Sequence, residues 1–344
     1  LALTADTMAG FSATTLPAIT GVLKNIPVDA LSGISAKNIV GLTVKSLTTD
    51  QIKALDGASQ LGALSAAQVA ALSKAQISAI APDDVANLNL SAISIANIDS
   101  TLFDNLSNAQ ISKLTPVQIA ALSAAQISVI TADQAAALTA VQAPAFKTLS
   151  GFSDSTVIPN LDKSFVAAIP TKTFSVLTQA QLVALTEDQV NVLTSAQVAS
   201  LTAARIGYLT PSDITVLKPA AVAGFTKTNI TGFDMSMLTG DGQFAALSSE
   251  QISNLSTTQI VALTEDQAAA MTTAQAAAIT SKQAPALESN DIAALSPKAF
   301  AAPFEPDAHE VLLQIYNKHN NLLQKHQIIV VSAKKLWHTG SPSR

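Results

Sequence analysis

The stretch Thr186–Leu217, TEDQVNVLTSAQVASLTAARIGYLTPSDITVL, divides without a gap into the four eight-residue units TEDQVNVL, TSAQVASL, TAARIGYL and TPSDITVL. Each unit, called an octad below, begins with Thr at position 1 and ends with Leu at position 8. Apolar residues extend the same phase from Leu161 to Phe233. A fixed period of this kind is the signature of a repeat architecture. We therefore predict the fold from the octad and not from the chain length.

The octad carries the signals of a helix start. Ser or Thr at position 1 and Gln at position 4 form a capping box, in which each side chain binds the backbone N–H of the other residue. Proline at position 2, as in Thr210-Pro211, suits the first residue of a helix. About six residues per octad can be helical, roughly 9 Å of helix, and so short a helix depends on packing. The residues at positions 5 and 8, such as Val190 and Leu193, share one face and are predicted to form the core.

These features predict an all-α fold, an elongated α-solenoid of very short helices with a longer C-terminal amphipathic helical cap. A β-solenoid is the alternative, but the abundance of Ala and Gln and the helix caps favour helix. Two, three or four octads could make one superhelical turn. The predicted solenoid covers residues 1–303, a helical cap or docking segment covers 304–336, and a frayed tail covers 337–344. The octad phase breaks near 42–64, 88–106, 146–161 and 233–247, which is consistent with bends or with boundaries between repeat blocks.

Composition excludes several functional classes. Hydrophobic residues make up 48% of the 344 residues, charged residues 12%, and the net charge is −5. This balance provides no basic surface for nucleic acid. Polar residues interrupt every apolar run, so we expect no membrane-spanning segment. The sequence contains no cysteine and therefore no disulfide or thiol chemistry.

We predict neither an enzyme nor a cofactor or metal site. The TGDGQF segment, Thr239–Phe244, has a single Gly-Asp-Gly and lacks the spaced carboxylates of a calcium loop. His319 and His326 could share one face of the C-terminal helix, but no third ligand accompanies them. All four histidines lie after Pro303, and the Ser and Thr residues of the octads are assigned to helix caps. The glutamines at position 4 are likewise assigned to capping boxes and not to ligand binding.

A few large side chains stand out as candidate contact residues. Arg205 replaces the usual Gln, and Tyr208 replaces a small residue, in a single octad. Tyr316 and Trp337 belong to the C-terminal segment, where the composition changes after Pro303. Aromatic and arginine side chains are frequent anchors of protein interfaces. We therefore predict Arg205, Tyr208, Tyr316 and Trp337 as the residues that contact a partner.

The tandem, Ala-rich and Cys-free pattern L-[ST]-x-x-Q-[IV]-x-x resembles repeat segments of large bacterial secreted or cell-surface proteins of the adhesin type. This resemblance covers roughly residues 11–303 and implies an extracellular location with a structural or adhesive role.

High apolar content with little charge, at a mean hydropathy of +0.35, favours self-association. The leading hypothesis is therefore a self-associating structural protein that forms a stalk, filament or layer. The alternative is a non-catalytic solenoid scaffold that binds a protein or peptide on its surface.

Overall fold

The computed structural model of the protein describes residues 3–240, 242–301, 303 and 306–318. Within these ranges all regular secondary structure is helical, with many short helices and no strand. The predicted α-solenoid of short helices is confirmed. The chain forms two compact units, Leu1–Ile169 and Pro170–Arg344, and each is described by itself.

The first unit contains eleven short α-helices in its described residues. They are α1 Ala5–Ala9, α2 Thr49–Lys53, α3 Ala66–Ala70, α4 Lys74–Ser78, α5 Pro82–Val85, α6 Ser100–Asp104, α7 Asn108–Lys113, α8 Pro116–Ala120, α9 Ala124–Ile127, α10 Ala132–Ala137 and α11 Lys163–Ala168. Turns of 3-10 helix lie at Leu16–Asn25, Val28–Gly33, Ile39–Gly41, Val44–Ser46, Leu90–Ala92, Ile95–Asn97, Ala143–Ala145 and Ile158–Asn160, and a π turn lies at Gly57–Leu61.

The second unit continues with the same kind of element. Its α-helices are α12 Thr171–Phe174, α13 Gln179–Val183, α14 Glu187–Val190, α15 Ser195–Ser200, α16 Ala203–Ile206, α17 Pro211–Val216, α18 Pro219–Val222, α19 Ser249–Ser253, α20 Thr257–Val261, α21 Glu265–Ala270, α22 Thr273–Ala277, α23 Ser289–Ala294, α24 Pro297–Phe300 and α25 Pro306–Lys318. Its 3-10 turns lie at Ile230–Gly232, Met235–Met237, Phe244–Ala246 and Ala284–Ala286.

The octad folds locally as its sequence predicts. In α15 the Thr194 hydroxyl accepts a hydrogen bond from the Gln197 backbone N–H at 3.2 Å, and the Gln197 side-chain oxygen accepts one from the Thr194 N–H at 2.9 Å. The same capping box recurs at most Ser/Thr-x-x-Gln sites, for example at α8, α10 and α22. Val198 and Leu201, at positions 5 and 8, are buried.

Each unit stacks its repeats with three repeats to a turn. In the first unit α6 packs against α9, and α7 packs against α10. In the second unit α14 packs against α17, α15 against α18, and α19 against α22. The partners in each pair are separated by three octads along the sequence. The positions 5 and 8 of stacked octads thus form a continuous core of Leu, Ile, Val and Phe.

The buried glutamines link successive turns. Gln275 donates from its side-chain nitrogen to the carbonyl oxygens of Phe244 and Leu247, at 3.0 and 2.7 Å. These carbonyls belong to positions 5 and 8 of an octad in the preceding turn. Gln142 makes the same pair of bonds to Ile111 and Leu114, at 2.7 and 2.9 Å. We call this series of contacts the glutamine ladder.

The ladder supplies hydrogen bonds that so short a helix cannot make for itself. The last carbonyl groups of any α-helix have no intrahelical donor, and an octad helix consists almost entirely of ends. Each ladder glutamine satisfies one N–H of its own helix and two carbonyls of the turn before. The oxygen and the nitrogen of its amide are therefore both hydrogen-bonded, which explains why such a polar side chain is buried, as Gln267 and Gln275 are at 0% and 2% exposure.

Two kinds of length change account for many of the breaks in octad phase. The first kind is a repeat of only five residues, which corresponds to positions 4 to 8 of an octad. There are four examples: TVKSL from Thr43, NLSAI from Asn89, SIANI from Ser94 and DMSML from Asp234. They form single 3-10 turns, and the ladder glutamines of the next turn still bind their carbonyls, as Gln126 binds Ile95 and Ile98. Each five-residue repeat lacks the Ser/Thr-x-x-Gln capping box but keeps the two apolar residues and their carbonyls.

A one-residue insertion is accommodated differently. In DGASQLGAL, which begins at Asp56, the Gln60 side-chain oxygen accepts from the N–H of Asp56, four residues earlier, at 2.9 Å. Its nitrogen still donates to Leu31 and Ile34, both at 2.8 Å. Gln243 does the same with the N–H of Thr239. The ladder contact is thus kept while the cap is stretched by one residue.

Close packing of successive turns requires glycine at some repeat ends. A Cβ atom added to Gly232 would lie 2.1 Å from the carbonyl oxygen of Ala203. A Cβ atom added to Gly224 would likewise lie 2.2 Å from the carbonyl oxygen of Ser195. Because the opposing atoms are backbone, neither turn can give way by rotating a side chain.

The predicted longer C-terminal helix is confirmed as α25, which has 13 residues. It packs on α23 and on the 3-10 turn Ala284–Ala286, and Ala308 and Leu312 are buried in that contact region. Within the described residues no further octad is stacked on these repeats, so α25 lies where a capping element of a solenoid would lie.

Candidate functional site

Arg205, a predicted contact residue, occupies a position in the ladder. Its backbone N–H is capped by the Thr202 hydroxyl, and its guanidinium donates to the carbonyl oxygen of Leu177. The side chain is half-buried. Arg205 therefore performs the bond that glutamine makes in other octads, and sequence reasoning gave no indication of this partner in the preceding turn.

Tyr208 lies at position 7 of the same octad and is half-buried. It follows Arg205 by three residues, and its backbone N–H binds the Arg205 carbonyl at 3.2 Å. The structure therefore places Arg205 and Tyr208 at positions 4 and 7 of one repeat. Tyr316 belongs to α25, but its side chain is outside the described part of the chain, and Trp337 lies outside the described residues altogether.

An uncharged apolar face lies on the first unit, where α8 packs against the 3-10 turn Ala143–Ala145. Val117 is 79% exposed and Val141 is 72% exposed. These two valines occupy position 3 of octads that are stacked on one another. The same two octads also present Pro116, Ala120, Ala140 and Pro144 as exposed or half-buried residues. We call these six residues the valine face.

A groove of about 370 Å³ lies beside the five-residue repeats of the first unit. The residues that line it include Asn87, Asn89, Gln110 and Lys113. This volume is within the range of pockets that hold small ligands.

Hydrogen bonding and burial shift the pKa values of Asp56, Asp162 and Asp291. A hydrogen bond from the Ser59 hydroxyl lowers the pKa of Asp56, and one from the Ser164 hydroxyl lowers the pKa of Asp162. Both carboxylates cap the first turn of a helical segment. Burial raises the pKa of Asp291, and this residue is considered further below.

The described residues contain neither a cluster of metal-ligating side chains nor a helix that could span a membrane. Across residues 3–240, 242–301, 303 and 306–318, no group of three or more His, Cys, Asp or Glu side chains could hold a metal ion. Asp241 of the TGDGQF segment and the histidines His319 and His326 fall outside these ranges. No helix in the described part of the chain has the length and apolar character needed to cross a membrane.

Comparison with known proteins identifies the repeat. The model of the ALTTAQ repeat family matches residues 240–273, which contain the octads LSSEQISN and LSTTQIVA written from one Leu to the next. The name of the family spells the same succession of Leu, Thr and Gln that forms the capping box. The comparison with curated proteins gave no match. The chain is therefore a repeat-containing protein whose octads are the repeating unit of the solenoid.

Proposed function

We propose that this protein is a non-catalytic structural repeat protein, secreted or displayed on a bacterial cell surface, that associates with further copies of itself as part of a stalk, filament or layer with an adhesive role. The observation that carries the proposal is the valine face. Two β-branched side chains, 79% and 72% exposed, lie on adjacent stacked octads without a charged residue among the six that form the face. Solvent-exposed apolar surface of this kind is a common feature of protein–protein contact sites.

A second copy of the chain suits this face better than a charged partner does. Two identical surfaces meet across a two-fold interface, and an uncharged surface meets its own copy without repulsion between like charges. Burial of one valine side chain contributes about 1.5–3 kcal/mol. Two valines from each copy therefore supply a useful part of the free energy of association.

The experiment compares self-association of the native chain and a Val117→Asp/Val141→Asp variant. Sedimentation velocity over a range of concentrations measures the oligomers, and negative-stain electron microscopy detects fibres or sheets. We expect the native chain to form concentration-dependent assemblies and the variant to shift toward monomer, because four carboxylates would be buried in each contact.

A Val176→Asp/Val261→Asp variant is the matched control. These valines are also exposed, at 61% and 51%, and the control introduces the same number of charges elsewhere. It should assemble like the native chain, and circular dichroism should show all three proteins folded. A native chain that stays monomeric at high concentration, or equal association of all three proteins, would contradict the proposal. Surface labelling of intact producing cells tests the proposed location.

Binding of a protein or peptide is the second candidate function, and the groove beside Asn87 and Lys113 favours it. Side-chain amides can bind the backbone of an extended peptide, and the ammonium group can bind a carboxylate. A panel of short peptides with free C-terminal carboxylates, titrated against the native chain and a Lys113→Ala variant, tests this role. Saturable binding to the native chain that Lys113→Ala weakens would support a peptide-binding role. Absence of binding to the native chain would contradict that role.

A further inference from the structure

Two positions of the glutamine ladder carry a carboxyl group in place of the amide. Asp213 and Asp291 stand at position 4 of their octads and are 4% and 3% exposed. The carboxyl group of Asp291 accepts from the backbone N–H of Glu288 at 3.2 Å, as a ladder glutamine would. An ionised carboxylate has no proton to donate, so it cannot make the second half of the ladder contact.

Asn229 shows that a side chain of this length reaches the ladder partners. Its nitrogen donates to the carbonyl oxygens of Val198 and Leu201, at 2.9 and 3.0 Å, while its oxygen accepts from the Thr226 N–H. A protonated aspartic acid has nearly the same shape as asparagine and carries one O–H donor. By the same spacing along the sequence, the ladder partners of Asp291 are the carbonyl groups of Ile260 and Leu263 in the preceding turn.

The surroundings of Asp291 favour its neutral form. The octad begins with Glu288, so the usual Ser or Thr hydroxyl is replaced by a second acid. Two helices pack against α23, which carries Asp291. The charged or titratable residues of α21 are Glu265 and Asp266, and those of α25 are Asp307, His309, Glu310 and Lys318. Burial raises the pKa of Asp291 above the ordinary value of 3.8, the N–H of Glu288 lowers it, and the charges of Glu288 and Glu265 raise it further.

Asp213 has a different environment. Its carboxyl group accepts both the N–H and the hydroxyl of Thr210, at 2.8 and 2.7 Å. No equivalent hydroxyl starts the octad of Asp291, which begins with Glu288.

We propose that Asp291 is an acid-dependent latch of the last octad turn among the described residues, which completes the ladder to Ile260 or Leu263 when protonated and leaves it open when ionised. Because α23 lies between α21 and α25, the latch controls how firmly this terminal turn and its capping helix are held. Acidification closes the turn, and a rise in pH loosens it.

The direction of this pH dependence follows from proton linkage. The folded state binds the Asp291 proton more tightly than the unfolded state does, because the pKa of this carboxyl is raised on folding. The latch contribution is therefore fully present below the unfolded pKa of about 3.9. It decreases as the pH rises from that value through the folded pKa, and above the folded pKa it is absent.

Hydrogen exchange read by mass spectrometry tests the latch in the full chain. The native chain and an Asp291→Asn variant are compared at each pH from about 4 to 7, so that the intrinsic exchange rates cancel. The measured quantity is the ratio of protection in peptides that cover Ser289–Phe300. We expect the native chain to lose protection relative to the variant as the pH rises, by about tenfold for each unit by which folding raises the pKa.

Three further variants make the assignment specific. Asp291→Gln restores the ladder amide and should also abolish the pH dependence. Glu265→Gln should weaken it, because one neighbouring negative charge is removed. His309→Gln should leave it unchanged, which separates the latch from titration of this histidine. A protection ratio that is constant with pH, or a native chain that becomes relatively more protected as the pH rises, would overturn the proposal.

Discussion

Replacing Gln275 with Met provides the most informative test of the ladder. Methionine keeps the length and the apolar stem of the side chain but can neither accept nor donate the amide bonds. The native glutamine accepts from the Thr272 N–H at 2.8 Å and donates to Phe244 and Leu247 at 3.0 and 2.7 Å. The substitution therefore removes three well-formed bonds and leaves the N–H and two carbonyl groups without these partners.

The expected loss of stability follows from the number of hydrogen bonds that the substitution removes. Each buried hydrogen bond contributes about 0.5–1.5 kcal/mol, so Gln275→Met should lower the free energy of unfolding by roughly 2–4 kcal/mol. Thr272→Ala is the matched control in the same capping box. It removes one cap bond, from the Gln275 N–H at 3.2 Å, and should cost about 1 kcal/mol.

Urea denaturation followed by circular dichroism measures both variants, with hydrogen exchange of the Phe244–Leu247 segment as a local readout. A glutamine that acts only in the capping box would cost no more than its threonine partner. Equal destabilisation by the two substitutions, or unchanged exchange at Phe244–Leu247 in Gln275→Met, would refute the ladder as a source of stability.

Two further predictions concern packing. Gly232→Ala should destabilise the second unit by about 1–3 kcal/mol because its new methyl group meets the Ala203 backbone, whereas Gly21→Ala, which has no atom within 4 Å of the added Cβ, should be neutral in thermal melts. Leu201→Ala should cost about 2–5 kcal/mol through a core cavity, and Thr194→Ala about 1 kcal/mol; the reverse order in urea denaturation would contradict the octad assignment.

The local fold could be read from the sequence because its causes are local. The capping box joins residues three positions apart, as in Thr194 and Gln197, so the start of each helix is encoded in four consecutive letters. Positions 5 and 8 repeat the apolar residues that become the core. The number of octads per turn could not be predicted because it depends on which octads contact one another. A sequence pattern that repeats every eight residues is the same whether two, three or four octads form a turn.

The candidate surface residues were harder to predict. Arg205 was singled out because it departs from the octad pattern, yet the structure shows its guanidinium on the Leu177 carbonyl. The valine face escaped notice because Val117 and Val141 resemble ordinary apolar residues of the repeat. Their exposure follows from their place at position 3, and their proximity follows from stacking of α8 on the Ala143–Ala145 turn.

The sequence alone determined that the chain is a helical repeat protein, where most of its helices start, and which residues form its core. Only the tertiary structure decided that three repeats make a turn, that five-residue repeats preserve the stack, and that the glutamine side chain has a second role. The physical reason is the range of the interactions. A capping box is complete within one helix, whereas the amide of Gln275 finds Phe244 and Leu247 only after the intervening octads have carried the chain around one turn.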